Sequence, residues 1–344
     1  MTGPTNAGGT VPSKDGTALR GGSRATSRLS LRHSTPLIVT GALLVVLFIA
    51  ALLRSGSMGI TGQALLTGII SGGVYSLLAM GLTLVFGVLD IVNFAHGAFL
   101  AVGLYITYEV AHQAGLNPYI ALPVAILGLF VLGVLIQLLL LNRTMGGTLE
   151  RQLLITLGLS LLISNVLLLA FGGDPLSANL KSDPGVHVFG AVANLSRVIA
   201  LGGALVLAVL VFLLLERTSF GRAIRAVAAS RQGAGLVGID VRLVYAVTFG
   251  LGTACAGAAG MLIAPFTTIT PTAGDQFNIL AFVVVVMGGL GNVMGAVISG
   301  VIVGLVEQLG GVAIAGQSPL LGVFILFLLI LLIRPQGIFG AASS

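Results

Sequence analysis

The 344-residue chain has no tryptophan, one cysteine and few charged residues. Asp, Glu, Lys and Arg together occupy 8% of its positions, whereas about 25% is usual for a soluble domain. Hydrophobic residues occupy 56%, and this balance excludes a water-soluble fold. Nearly all the apolar sequence falls in spans that lipid must solvate, so we predict one membrane domain rather than two soluble ones.

The sequence also lacks the motifs of several functional classes. H-E-x-x-H, G-x-S-x-G and paired carboxylates within a span are absent, so we do not expect an enzyme. The only lysines are Lys14 and Lys181, and no G-x-x-x-x-G-K-S/T occurs, so the chain cannot build a loop that cradles ATP phosphates. Energy for an active process must therefore come from another subunit or from a gradient.

Metal, cofactor and nucleic-acid sites are not expected either. His96 has no second His or Cys near it to complete a metal site. Cys255 has no disulfide partner and lies in an apolar Gly/Ala-rich stretch, so we expect it to pack as a small hydrophobe. The net charge of +6 comes from basic residues scattered through short loops, without the aromatic interleaving typical of nucleic-acid binding.

Long apolar stretches separated by polar segments fill most of the chain. They cover 36–53, 60–89, 94–111, 119–141, 152–171, 197–215, 243–264, 278–308 and 319–333. Most are near the ~20 residues that a helix needs to cross the hydrocarbon. The stretch 278–308 is ambiguous, because the glycine-rich sequence at 288–292 permits a kink in one long helix or a turn between two short ones. The spans therefore number nine or ten.

The N-terminal 35 residues are rich in Gly, Ser and Thr and carry five basic residues. This composition predicts a disordered, basic cytoplasmic tail over 1–35, followed by a membrane domain over 36–340. A signal peptide is the competing interpretation, since a basic region precedes the apolar run from Pro36 to Leu53. That run is long for a signal core and no small-x-small site follows it before Arg54, so we favour an uncleaved first span.

The distribution of Lys and Arg assigns the sides of the membrane. With the N-terminus inside and ten crossings, loops 142–151 and 216–242 and Arg334 are cytoplasmic, and thirteen of the sixteen basic residues lie inside. The positive-inside rule requires this bias, whereas nine crossings would put Arg334 outside. We predict an all-α, polytopic transmembrane helical bundle of about ten spans, with both termini cytoplasmic and 172–196 as the longest external loop.

The 50 glycines are concentrated inside the predicted spans. Spacings such as Gly68-x-x-x-Gly72 let helix backbones approach closely, which is how helices associate in lipid. We interpret them as contacts between helices, with a lined pathway or gating motion as the alternative.

The 27-residue loop 216–242 is too patterned for a simple connector. Thr218 or Ser219 can cap a helix there, and Gly233 or Gly235 can end it. The apolar face of that helix consists mainly of Ala, Ile and Val, while arginines project elsewhere. Such a helix can rest on the membrane surface or insert into a groove on a partner. The small side chains favour the partner, because a membrane anchor would carry Trp, Phe or several Leu.

Several segments resemble the inner-membrane permeases of branched-chain amino-acid ABC importers, in the same order along the chain. They are 72–99 (GGVYSLLAMGLTLVFGVLDIVNFAHGAF), 221–225 (GRAIR) through 236–239 (LVGI), 288–295 (GGLGNVMG) and 334–338 (RPQGI). The similarity spans about residues 60 to 340, so only the tail and the first span lie outside it.

The resemblance implies half of a translocation pathway in the cell membrane. A second homologous permease subunit, two cytoplasmic ATP-binding subunits, an extracytoplasmic solute-binding protein and membrane lipid are the implied partners, without a cofactor. Branched-chain amino acids are the leading substrates, and urea or short amides are the alternative, because their permeases look similar in these motifs. A passive channel for small solutes is the rival class, and it would need no docking loop.

The resemblance also implies that loop 216–242 contains the helix that docks on the ATP-binding subunit. The predicted coupling residues are Gly221, Arg222, Ala223, Arg225, Ala228, Arg231 and Gly238. The chain departs from its relatives at Ala229-Ser230, where acidic residues are common.

Polar and glycine residues within or between the spans are the remaining candidates for function. An ionisable group at membrane depth is costly and is a functional candidate by default. The candidate pathway or gate residues are Asp90, Asn93, His96, Gly288, Gly289, Gly291 and Asn292. Asp90 and Asn93 can instead cap helix ends in a cytoplasmic turn, and a hydrogen-bonded packing role fits His96 better than metal ligation.

Overall fold

A computed structural model describes residues 23–113, 116–143, 148–178, 180, 183–188, 191–314 and 319–340. The helices are α1 Ser23–Ser55, α2 Met58–Leu89, α3 His96–His112, α4 Ala121–Leu139, α5 Leu149–Phe171, α6 Leu195–Arg217, α7 Ser219–Ala229, α8 Arg231–Leu236, α9 Val241–Ile263, α10 Ala273–Gly288, α11 Val293–Ala313 and α12 Leu320–Ile333. Residues 1–22 of the predicted tail lie outside the described ones, and their disorder stays a prediction, whereas residues 23–35 are the start of α1.

Most of the helices have the length and composition of membrane spans. Within the described residues, seven can cross a bilayer, namely α1, α2, α4, α5, α6, α9 and α11. Helices α10 and α12 are shorter apolar helices of 16 and 14 residues. The prediction of an all-α membrane bundle is therefore confirmed. Ten crossings and the side on which each terminus lies stay predictions.

The ambiguous stretch 278–308 forms two helices, α10 and α11, joined by a turn. Gly289 and Gly291 in this turn have φ values of +94° and +80°, which glycine adopts without steric cost. Helix α10 begins at Ala273, five residues before the predicted apolar stretch. The stretch left out the first turn of the helix because that turn is polar.

Helices α2 and α9 form the centre of the bundle. In the apolar segments of α2 and α9, 83% and 89% of the residues are buried within the chain, whereas 22% are buried in those of α5 and α6. Glycine allows this centre to form, since a Cβ added at Gly103 would collide with the backbone of Gly257, and one at Gly81 with the backbone of Gly252. The glycines thus act in helix contacts, as we interpreted them.

A buried, non-helical segment joins α2 to α3. His96 Nε2 lies 2.9 Å from the carbonyl oxygen of Leu78, and Leu78 lies eleven residues before the end of α2, about 16 Å along the helix axis. The chain therefore turns back along α2, and α3 begins part-way up it. Asn93 Oδ1 fixes the bend by accepting a hydrogen bond from the Ala95 N–H at 3.0 Å.

The loop 172–196 contains a short antiparallel hairpin that the sequence did not predict, with strands β1 Gly185–Val188 and β2 Ala191–Asn194. Asp183 ties the hairpin to α6, since its carboxylate accepts hydrogen bonds from the N–H and hydroxyl of Ser196 at 2.9 and 2.6 Å. Partial burial raises the pKa of Asp183, but these hydrogen bonds outweigh it and hold the pKa below its usual value.

Candidate functional site

The segments that carry the family resemblance meet around one cavity of about 760 Å³. Asp90 contributes from the end of α2, Ala228 and Arg231 from the 216–242 loop, and Gly291 from the α10–α11 turn; Gly340, just after the 334–338 motif, completes the wall. Motifs far apart in sequence therefore share one face of the molecule. We call it the α7–α8 face.

Two short helices, rather than the single predicted one, build this face. Thr218 caps α7, because its hydroxyl accepts a hydrogen bond from the Gly221 N–H at 3.0 Å. Ser230 interrupts the helix at φ −159° and caps α8 by accepting from the Gly233 N–H at 3.0 Å. The expectation that one helix runs to Gly233 or Gly235 is therefore wrong, because a second serine cap starts a new helix first.

The apolar side chains of α7 and α8 divide into an inner and an outer group. Ile224, Val227 and Ala234 are buried against the bundle. Leu236 and Val237, at the end of α8, are 89% and 76% exposed. We call these two residues the apolar tip.

The predicted coupling residues serve different structural purposes. Gly221 has no room for a side chain, because a Cβ would collide with the Leu215 carbonyl group. Gly238, at φ +82°, turns the chain from α8 towards α9. Arg222 and Ala228 are exposed, and Ala223 is half-buried.

Two arginines tie the α7–α8 segment to the bundle. Arg225 donates to the Leu215 carbonyl oxygen and lies 3.9 Å from the Glu216 carboxylate. Arg231 donates to the Leu89 carbonyl oxygen at 3.0 Å, which satisfies a free acceptor at the end of α2. Its guanidinium also lies over the Tyr245 ring, 5.7 Å from the centroid. Arg231 is thus a link between α8, α2 and α9 rather than a free surface charge.

The structure separates the predicted pathway or gate residues into two places. Asp90, Gly291 and Asn292 line the cavity. Asn93 and His96 are fully buried at the start of α3. No metal-binding cluster of His, Cys, Asp or Glu occurs in the part of the chain that the structure describes.

The α10–α11 turn is locked by the C-terminal segment. Asn292 caps α11 by accepting from the Gly295 N–H at 3.0 Å, and it donates to the Phe339 carbonyl oxygen at 2.9 Å. Gly288 and Gly289 are buried, and a Cβ at Gly289 would lie 2.7 Å from Gly340. Phe339 and Gly340, directly after the 334–338 motif, therefore hold the turn in place beside the end of α2.

A second feature, which the sequence did not predict, is a groove between α5, α10 and α12. Asp275 and Asn278 on α10, Ser160 on α5 and Phe324 on α12 line a space of about 420 Å³. From their apolar sequences alone, α5 and α12 would be expected to face only lipid. The available signal was the polar first turn of α10, which the apolar stretch beginning at 278 left out.

Comparison of the sequence with known proteins identifies the family. The family described as "Branched-chain amino acid transport system / permease component" matches residues 64–333. The high-affinity branched-chain amino acid transport system permease proteins BraD of Pseudomonas aeruginosa and LivH of Escherichia coli K12 are each 29% identical to the chain, over 81% of it and 95% of their own length. A probable permease protein LivH of Methanocaldococcus jannaschii is 31% identical over 70% of the chain and 78% of its own length.

No solved structure matches the chain. The family match covers most of the sequence, including every segment that lines the cavity except the residues after 333. The chain is thus a multi-pass membrane protein and belongs to the family of permease components of branched-chain amino acid transport systems.

Proposed function

We propose that this chain is one permease subunit of an ATP-driven importer and forms half of the translocation pathway for branched-chain or related amino acids. A second homologous permease subunit completes the pathway. Two cytoplasmic ATP-binding subunits supply energy, because this chain has no phosphate-cradling loop, and an extracytoplasmic solute-binding protein delivers the substrate. The names of the relatives support amino acids over urea or short amides.

The proposed topology has ten crossings with both termini in the cytoplasm. The α7–α8 face supports it, because it carries Arg222, Arg225 and Arg231, and Arg334 lies beside the same cavity through its hydrogen bond to Gly340. A concentration of arginine on one face is what the positive-inside rule requires of the cytoplasmic side.

The observation that carries the proposal is the exposed apolar tip on an element fixed to the bundle. Leu236 and Val237 are 89% and 76% exposed, and α7 and α8, which lead to them, carry the exposed residues Arg222, Arg225 and Arg231. An apolar centre with a charged rim is typical of a protein docking site. We assign as its partner an apolar, acid-rimmed groove on the ATP-binding subunit.

The same element provides a route for movement. Arg231 connects α8 to the end of α2 at Leu89, and Asp90 and Gly291 line the same cavity as Arg231. A displacement of the tip therefore reaches the start of the buried segment 90–95 and the α10–α11 turn. In this account Asp90, Gly291 and Asn292 belong to the cytoplasmic gate, whereas Asn93 and His96 position α3.

The docking role is tested by Leu236→Asp in the complete importer. A charge at the centre of an apolar contact should reduce co-purified ATP-binding subunit and leucine uptake by about tenfold or more. Ser177→Asp adds the same charge at an exposed position of the loop after α5, on the opposite side of the membrane in the proposed topology, and should have little effect. Normal uptake and subunit recovery in Leu236→Asp would show that the apolar tip is not the docking site.

A further inference from the structure

The groove between α5, α10 and α12 reaches the middle of the membrane. Ser160, which lines it, is the central residue of the 23-residue helix α5, about 16 Å from either end. Asp275 lines the same space. The first turn of α10 is therefore near mid-depth, although its neighbour α5 spans the whole bilayer.

A second cavity of about 420 Å³ continues the groove towards the loops after α5 and α9. Ser164 and Asn165 on α5 and Thr272 before α10 line it, and Ser160 and Asp275 border both cavities. In the proposed topology this second cavity opens on the external side. The two cavities thus form one continuous route, polar outside and apolar inside, with Asp275 at their junction.

The inner cavity has the character of an aliphatic binding site. Phe94 and Phe282 stack with ring centroids 5.3 Å apart, and Ile279, Phe324 and Phe327 complete the apolar lining. Aromatic and aliphatic walls with a few polar groups at one end are typical of small-molecule sites.

The position of Asp275 is fixed by its own helix. Asn278, one turn further along α10, accepts a hydrogen bond from the Gly97 N–H and donates to the Phe94 carbonyl oxygen, both at 3.1 Å. Gly274 and Gly97 also leave no room for side chains where α10 crosses α3. The start of α10 is therefore locked against the start of α3.

Asp275 itself has no partner that the structure describes. Its carboxylate makes neither a hydrogen bond nor an ion pair with any described residue, and it is exposed to the groove. A carboxylate at membrane depth is costly unless a cation, water or a polar partner compensates it. Asp275 also lies in the first turn of α10, where a negative charge stabilises the helix dipole. That role does not explain why the side chain faces an open groove lined by aromatic residues.

We propose that this groove is the substrate site of the permease, in which Asp275 binds the ammonium group of a zwitterionic amino acid and the Phe94–Phe282 pocket receives its branched aliphatic side chain. The inference rests on the proposed import function and specifies where recognition occurs within this chain. A carboxylate beside an apolar pocket selects for a cationic head on an aliphatic tail, because charge-assisted hydrogen bonds are about twice as strong as neutral ones. Urea offers neither group.

The test uses the complete importer in proteoliposomes with the solute-binding protein and ATP. Asp275→Asn keeps the size of the side chain and removes its charge, so leucine uptake should fall by about 30-fold or more. Asp174→Asn removes the same charge from an exposed position outside the groove and should leave uptake unchanged. Subunit amounts are measured in each preparation.

A second variant separates binding from helix stability. Asp275→Cys in a Cys255→Ala background is modified with a sulfonate or a quaternary ammonium methanethiosulfonate. The sulfonate reagent should restore leucine uptake, and the cationic reagent should not. If Asp275→Asn fails to assemble, the comparison of the two reagents on Asp275→Cys tests the site by itself.

The outcomes separate the two proposals. Normal leucine uptake by Asp275→Asn, or equal effects of both reagents, would overturn the site while leaving the import function intact. A parent complex that takes up no leucine with ATP would overturn the import function and the site with it.

Discussion

At the scale of single residues, a buried carboxyl group joins α2 to α11. The Tyr75 hydroxyl on α2 donates to Glu307 Oε2 on α11 at 2.8 Å, and the two residues are 7% and 6% exposed. Sequence alone places Glu307 near the end of a span, where water is available. Burial makes its hydrogen bond valuable, because an unpaired polar group inside the bundle is expensive.

Tyr75→Phe should therefore destabilise the protein by about 1–3 kcal/mol. The measurement is thermal unfolding in detergent. A fluorogenic thiol reagent detects unfolding, because it reacts with the buried Cys255 only when that residue becomes exposed. The matched control is Tyr105→Phe, because the buried Tyr105 hydroxyl has no hydrogen-bond partner among the described residues. Equal melting temperatures for the two variants would contradict the assigned role of the Tyr75–Glu307 pair.

At the scale of helices, α2 and α11 pack through glycine on both sides. Gly68 and Gly72 on α2 face the α11 backbone at residues 300–305, and Gly300 and Gly304 face the α2 backbone in return. The spacing of the glycines in the sequence predicted such contacts. Lipid removes the hydrophobic driving force between apolar helices, so they associate by close packing at small residues.

Gly72→Ala should separate these helices. Its Cβ would lie 2.7 Å from Val301 Cα and 2.9 Å from the Gly300 carbonyl oxygen, and backbone cannot move away as a flexible side chain can. We expect a loss of about 1–3 kcal/mol in the same unfolding assay. Gly128→Ala on α4 meets nothing within 4 Å and should be neutral or slightly stabilising, and a comparable loss there would refute the contact explanation.

The apolar stretches predicted the long helices well, because a helix that crosses the hydrocarbon needs about 20 apolar residues whether it faces lipid or other helices. The polar details were less accessible. Asp275 precedes the apolar stretch of α10, so a search for apolar stretches leaves it out, and only the fold brings it to the same groove as Ser160. Arg231 was predicted only as a coupling residue, and the fold alone brings it to the Leu89 carbonyl oxygen.

At the scale of the whole molecule, the proposed topology places the apolar tip and the hairpin loop on opposite sides of the membrane. Ser177→Cys and Gln232→Cys, each in a Cys255→Ala background, probe these exposed positions. An impermeant thiol reagent added to intact cells should label Ser177→Cys only, and Gln232→Cys should react after the membrane is opened. Labelling of both from outside would rule out the ten-crossing arrangement.

The central claim is that this chain carries branched-chain amino acids only when ATP-binding subunits act on it. The most direct measurement is uptake of labelled leucine and labelled urea into proteoliposomes that contain the complete importer, or the two permease subunits alone. We predict leucine uptake that requires ATP, the ATP-binding subunits and the solute-binding protein, with no uptake of urea. Leucine entry through the permease subunits alone, or transport of urea in place of leucine, would contradict the account.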